Sequence, residues 1–148
     1  MTELVTQYGG TLDKFVGDCI MVLFNAPDDT VGHPTRAVEM AFAMQDRIWE
    51  LSESWKERGR DPIGVGMGIS TGFATVGNFG SEIYSDYTAI GNCVNLAARI
   101  ESISEPGEIL VSEAMKSQLG DAFSLRAHGK RELKGISNPV QVYLAERN

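Results

Sequence analysis

Apolar and polar positions along the chain follow two periods, and the change from one to the other divides it into strands and helices. After the breaker Tyr8-Gly9-Gly10, Thr11 to Val16 and Cys19 to Phe24 read as two strands joined by a tight turn at Gly17-Asp18. The second strand, Ile20-Met21-Val22-Leu23-Phe24, is apolar throughout, which predicts a central place in a sheet covered on both faces. Beyond a loop at Asn25-Ala26-Pro27-Asp28-Asp29, the residues Ala37, Ala41, Met44, Ile48, Leu51 and Trp55 recur at intervals of four and three. That spacing predicts one long amphipathic helix from Pro34 to about Arg58, with Pro34 in its first turn and Gly59 as its stop. Glu39, Asp46, Glu50, Glu53 and Arg58 form its solvated face.

The second half is more broken. Ile63 to about Val76 reads as a strand interrupted by glycines, Gly77-Asn78-Phe79-Gly80-Ser81 as a loop, and Ile83 to Ala89 as a further strand. Gly91-Asn92 opens a helix that runs to about Ser104 and is broken by Pro106-Gly107. Ile109-Leu110-Val111 is a short strand, and Ser112-Glu113-Ala114 starts a short helix through Leu119. Phe123 to Leu133 and Val140 to Leu144 close the chain as a strand pair around the Gly135–Pro139 turn. Strands and helices alternate without a regular strand–helix–strand repeat, which predicts a single α/β (α+β) domain, a ferredoxin-like mixed-sheet sandwich.

Composition sets the outer limits. The 148 residues suit one domain, and 43% hydrophobic with 22% charged residues supports a real core. The net charge of −7 argues against a nucleic-acid groove, which needs clustered cations. Cys19 and Cys93 lack a metal-binding or redox spacing and read as small buried thiols of a reducing compartment. No apolar run approaches the roughly 18 residues of a membrane span, so this segment is expected to make no membrane contact and to be cytoplasmic, whatever tethers the parent protein.

Two segments carry candidate chemistry. Lys14 places a long cation between Leu12, Phe15 and Val16 in a strand, a poor fit for half-buried surface. Asp18, four residues on, sits in a turn that favours Asp for local reasons alone, since its side chain bonds nearby amides. Lys-x-x-Gly-Asp by itself is weak, and ordinary turn chemistry explains it at least as well. In the second segment, Asp86-Tyr87-Thr88-Ala89-Ile90-Gly91-Asn92-Cys93-Val94-Asn95-Leu96-Ala97-Ala98-Arg99, Asn95 and Arg99 lie four apart on one helical face. Leu96, Ile100 and Ile103 form a different stripe that can enter the core. Taken singly, Asn95 or Arg99 is still best read as part of an exposed polar face.

Together, the stretches Gly10 to Asp18 and Gly77 to Glu101 resemble the class III nucleotide cyclase catalytic domain, and the resemblance runs over nearly the whole chain. It implies conversion of ATP to 3′,5′-cyclic AMP and pyrophosphate at a homodimer interface, with two Mg²⁺ or Mn²⁺ ions per complete site. By the same resemblance Asp18 is one of two metal carboxylates, Asn95 orients the ribose and Arg99 stabilises charge on the α-phosphate. Lys134, in Leu133-Lys134-Gly135, is a loose match to a triphosphate-contacting lysine. Lys14 and Thr88 correspond to the base-reading pair. Adenine offers an acceptor at N1, which a lysine can meet, and an amino donor at N6, which a threonine oxygen can accept. Thr88 stands where many adenylyl cyclases have aspartate, and because a hydroxyl also donates, rejection of GTP is expected to be looser.

The resemblance fails in one place. The family's first metal carboxylate lies in a Phe-x-Asp-Ile motif on an earlier strand, and none of the 17 residues before Asp18 carries it. Glu3 and Asp13 are the only acidic residues there, and neither has that setting. The expectation is therefore an N-terminally truncated domain without its first strand, weak or inactive alone, with an upstream regulatory domain in the parent protein. Asn92 replaces an Asp common in the family and can serve as a helix cap. A non-catalytic nucleotide-binding or dimerising module of the same fold is the alternative. A diguanylate cyclase is disfavoured because Val16-Gly17-Asp18-Cys19-Ile20 lacks that family's turn motif.

Overall fold

The four residues Ile109–Ser112 form a strand in which every position is buried, and the domain is organised around it. A computed structural model describes residues 1–148. In chain order its elements are α1 (Thr2–Gln7), β1 (Thr11–Val16), β2 (Cys19–Leu23), α2 (His33–Glu57), β3 (Met67–Ile69) and β4 (Thr75–Gly80). They continue with β5 (Ser85–Ile90), α3 (Asn92–Ile103), β6 (Ile109–Ser112), α4 (Glu113–Leu119), β7 (Ser124–Arg131) and β8 (Val140–Glu146).

β6 pairs in parallel with β3 and antiparallel with β8, giving a mixed four-stranded sheet of order β3-β6-β8-β7. Alternation sends Ile109 and Val111 to one face, where they meet Val38 and Ala41 of α2, Met115 and Leu119 of α4, and Tyr143 and Ala145 of β8. Leu110 and Val142 point the other way and pack with Ile100 of α3. Helices on both faces explain why β6 is apolar without alternation. Ser112 ends the strand and caps α4, its Oγ accepting from the Met115 amide at 3.4 Å.

The remaining strands form two separate hairpins, β1-β2 and β4-β5. The first leans on α1 and α2, with Leu12, Val22 and Phe24 packed against Val5, Met40 and Met44. Its turn uses Gly17 at φ 62°, a left-handed conformation that costs glycine little.

The mixed α+β architecture agrees with the sequence, and six details correct it. β2 is not central: it pairs only with β1 and is half-buried along its length, so its apolar residues cover α2 on one side only. The strand expected from Ile63 to Val76 is only Met67–Ile69, followed after a break by β4. Gly77–Gly80 is strand rather than loop, because each residue pairs with one between Ser85 and Thr88. Gly91, not Asn92, caps α3, and no side chain bonds its first turn. Both cysteines are free and half-buried rather than enclosed. In α2, Ser52 is buried and Trp55 is exposed, because the helix runs past the sheet before its apolar stripe ends.

Candidate active site

Pairing in the first hairpin sets Leu12 opposite Val22 and Lys14 opposite Met21, so Asp13 is an extra residue without a ladder partner. Such a bulge bends its strand and re-aims side chains. Strict alternation would send Asp13 and Lys14 to opposite faces. Here both reach β5. Lys14 Nζ donates to Asp86 Oδ2 at 3.1 Å, and Thr88 Oγ1 donates to Asp13 Oδ2 at 2.8 Å. Asp86 and Thr88 are two apart on β5 and so share a face. The two hairpins have no common sheet, yet these side chains fasten one to the other.

The Lys14 ammonium is held above its ordinary value. Its hydrogen bond to Asp86 does most of this, burial works against it, and the charges of Asp13 and Asp86 add to it. A raised value means that the Lys14 ammonium stays charged below the ordinary lysine range near about 10.4 and gives up its proton only as pH rises through the higher folded value. Lys14 is therefore a fixed cation at neutral pH, and with three donors it keeps two free beyond Asp86.

β5 passes into α3 through the single residue Gly91, so Thr88 and Asn95 are carried on one continuous turn of chain. Ile100 is fully buried, and Leu96 and Ile103 pack beside it, which anchors the apolar side of α3. Asn95 is exposed and Arg99 half-buried on the other side. The Arg99 carbonyl accepts from Ser102 Oγ at 2.7 Å, while its guanidinium and the Asn95 amide make no bond within the chain. α3 lies so close to β3 that a Cβ on Gly68 would stand 2.3 Å from the Glu101 nitrogen and 2.6 Å from the Ala97 oxygen. Both are backbone atoms that cannot yield, so the glycine fixes the height of α3 over the sheet.

Asp18 is exposed at the tip of the first hairpin. Its carboxylate is the oxygen donor that hard divalent cations take, but it stands alone, and no group of three or more His, Cys, Asp or Glu could hold a metal ion. Lys134 is exposed in the β7–β8 connection, beside a shallow cleft of about 450 Å³ lined also by Glu132, Ile136 and Pro139. The structure thus brings Lys14 and Thr88 together, carries Asn95 and Arg99 on the helix that follows, and links neither Asp18 nor Lys134 to them by any bond.

Sequence reasoning gave no role to two residues that the geometry puts in contact with the pair, Asp13 and Asp86. Asp86 was legible, since it shares Thr88's face by strand alternation. Asp13 was not, because only the bulge turns it toward β5.

A family model described as the adenylate and guanylate cyclase catalytic domain matches residues 1–146. The chain belongs to that family. It is 31% identical over 144 residues to adenylate cyclase 1 of Rhizobium meliloti, covering 96% of this chain and 22% of that protein. The cyclase domain described here therefore spans about a fifth of that relative's length. It superposes on the crystal structure of the adenylyl cyclase CyaB from P. aeruginosa with TM-score 0.93 and 43% identity, covering 99% of this chain and 76% of that one. The crystal structure of the guanylyl cyclase Cya2 matches with TM-score 0.91 and 35% identity, over 99% of this chain and 74% of that one. Cyclases of both base specificities therefore share the fold closely, and the fold does not choose between adenine and guanine. That choice rests on particular side chains.

Proposed function

We propose that this cyclase domain converts ATP to 3′,5′-cyclic AMP and pyrophosphate. The observation that carries the reading is the placement of Lys14 and Thr88 side by side in one protomer, spaced by Asp86 and Asp13. A free ammonium proton of Lys14 meets adenine N1, and the Thr88 oxygen meets the N6 amino group. Guanine reverses both requirements.

In the reaction the ribose 3′-oxygen attacks the α-phosphorus. The bond from that phosphorus to the bridging oxygen breaks, pyrophosphate leaves, and the 3′-hydroxyl proton passes to solvent. Asn95 orients the ribose and Arg99 neutralises charge gathering on the α-phosphate, so most of the rate comes from positioning and electrostatics. Two Mg²⁺ or Mn²⁺ ions, when bound, would activate the 3′-hydroxyl and screen the pyrophosphate. Asp18 is the carboxylate that would hold them, together with the phosphates. Lys134 contacts the triphosphate in this reading.

The site is completed by a second copy. Phe15 and Val16 on β1 and Phe73, Ile83 and Tyr84 in or next to the second hairpin are exposed apolar residues of the two segments that carry Lys14 and Thr88, which supports a homodimer closing over them. No helix is long and apolar enough to cross a membrane; a cytoplasmic location, where ATP is supplied, belongs to the proposal.

The test is cyclic AMP formation by the full-length protein with Mn²⁺, alongside Asp18→Ala. The proposal expects product from the parent and a large loss in the variant at unchanged folding. A folded parent that binds ATP and forms no cyclic AMP would instead favour the non-catalytic module.

A further inference from the structure

A hydroxyl beside a base is ambiguous, because it can donate to guanine O6 as readily as it accepts from adenine N6. The structure removes that ambiguity. Thr88 Oγ1 gives its only proton to Asp13 Oδ2 at 2.8 Å. The other Asp13 oxygen is buried and has no hydrogen-bond partner, so no second donor competes for the carboxylate. Thr88 is its one hydrogen-bond donor, and a half-buried carboxylate that lost it would be left with no hydrogen bond within the chain, an arrangement that proteins avoid. The bulge at Asp13 has no role in backbone pairing and is what brings this carboxylate to Thr88.

We propose that Asp13 is a specificity-determining positioning residue that locks the Thr88 hydroxyl as an acceptor toward the base, so that Thr88 reads adenine and rejects guanine. The inference rests on the reading of Lys14 and Thr88 as the base-contacting pair and deepens it. With its proton committed to Asp13, Thr88 presents only lone pairs outward. Those attract the adenine N6 protons and leave guanine O6 facing another acceptor. Asp86 plays the companion part for Lys14, holding one ammonium proton at 3.1 Å and directing the rest. A threonine can in this way do the work of an acidic residue without placing a charge against the base.

The experiment measures the ratio of kcat/KM for ATP to that for GTP in the full-length protein. Equilibrium binding of fluorescent ATP and GTP is measured in parallel and needs no turnover. Asp13→Asn nearly preserves shape but lets the new amide donate to Thr88, freeing the hydroxyl proton to turn toward guanine O6. The ATP-to-GTP ratio should fall roughly tenfold, the upper worth of one neutral hydrogen bond. Thr88→Ala should lower it similarly, and Asp13→Asn added to Thr88→Ala should change it no further, because Asp13 then has no hydroxyl to orient. Thr88→Ser should keep the parent ratio. If Asp13→Asn fails to fold, Asp13→Ala removes the half-buried carboxylate without orphaning it and should lower the ratio in the same way.

A merely structural role would depress use of both nucleotides together and leave the ratio alone. An unchanged ratio in Asp13→Asn, or an equal drop in the Thr88→Ala background, overturns the proposal. A parent that prefers GTP overturns the base-reading assignment as well. A parent that binds ATP over GTP but turns over neither contradicts the catalytic reading alone, and the binding ratios then decide the role of Asp13.

Discussion

Lys14 on β1 and Asp86 on β5 meet at 3.1 Å across 72 residues of sequence. The pair stands about a third exposed on the lysine side, where ion pairs contribute little to stability. Its consequence is positional: it aims a fixed cation at the surface between the two hairpins. Together with the Thr88–Asp13 bond it fastens two otherwise independent hairpins to each other.

Asn95→Ala and Arg99→Ala should each lower turnover of the full-length protein by about 10²–10³, the usual loss for a transition-state contact. Both side chains lie away from Ile100 and make no bond within the chain, so thermal unfolding should stay near that of the parent. Near-normal turnover by a folded Arg99→Ala protein would remove Arg99 from the mechanism.

Gly68→Ala tests whether the height of α3 matters. The added methyl would meet backbone of Glu101 and Ala97, so α3 must lift from β3. Overpacking of this kind costs about 1–3 kcal/mol, seen as a lowered denaturation midpoint. Because α3 carries Asn95 and Arg99, turnover should fall further than the loss of folded protein explains. A variant of full activity and stability would show that the contact is slack.

The Cys19 thiol is pushed above its ordinary value, by burial first and then by the charges of Glu101 and Asp18. It should therefore alkylate with iodoacetamide more slowly near neutral pH than a free thiol, since the thiolate is the nucleophile. Asp18→Asn removes one of those charges and should speed the reaction. The folded state holds this proton more tightly than the unfolded one, so stability from this source is present below about 8.5 and declines as pH rises above it. Cys19→Ala should flatten that decline. Alkylation at the rate of a free thiol would contradict the assigned environment.

The apolar stripe of α2, the buried run of β6 and the Ser112 cap were all readable from spacing, because each is decided by residues close in sequence. β4 was not. Gly77-Asn78-Phe79-Gly80 has loop composition, and only pairing with β5 makes it a strand. The apolar run of β2 suggested a central strand for the same reason in reverse: sequence shows what can be buried, not which partner arrives. At the site, Lys14, Asp18, Thr88, Asn95 and Arg99 were marked by residue type and spacing. Of the two carboxylates that bond Lys14 and Thr88, Asp86 shares Thr88's face by alternation, whereas Asp13 is turned there only by a bulge, and both contacts join residues more than 70 apart.

The most direct measurement of the central claim offers ATP and GTP together, at equal concentration with Mn²⁺, to the full-length protein and quantifies both cyclic nucleotides. The account predicts an excess of cyclic AMP over cyclic GMP that shrinks when Lys14→Glu and Thr88→Cys are combined, because the donor to N1 and the acceptor for N6 are then both gone. Equal or greater formation of cyclic GMP by the unaltered protein would contradict it.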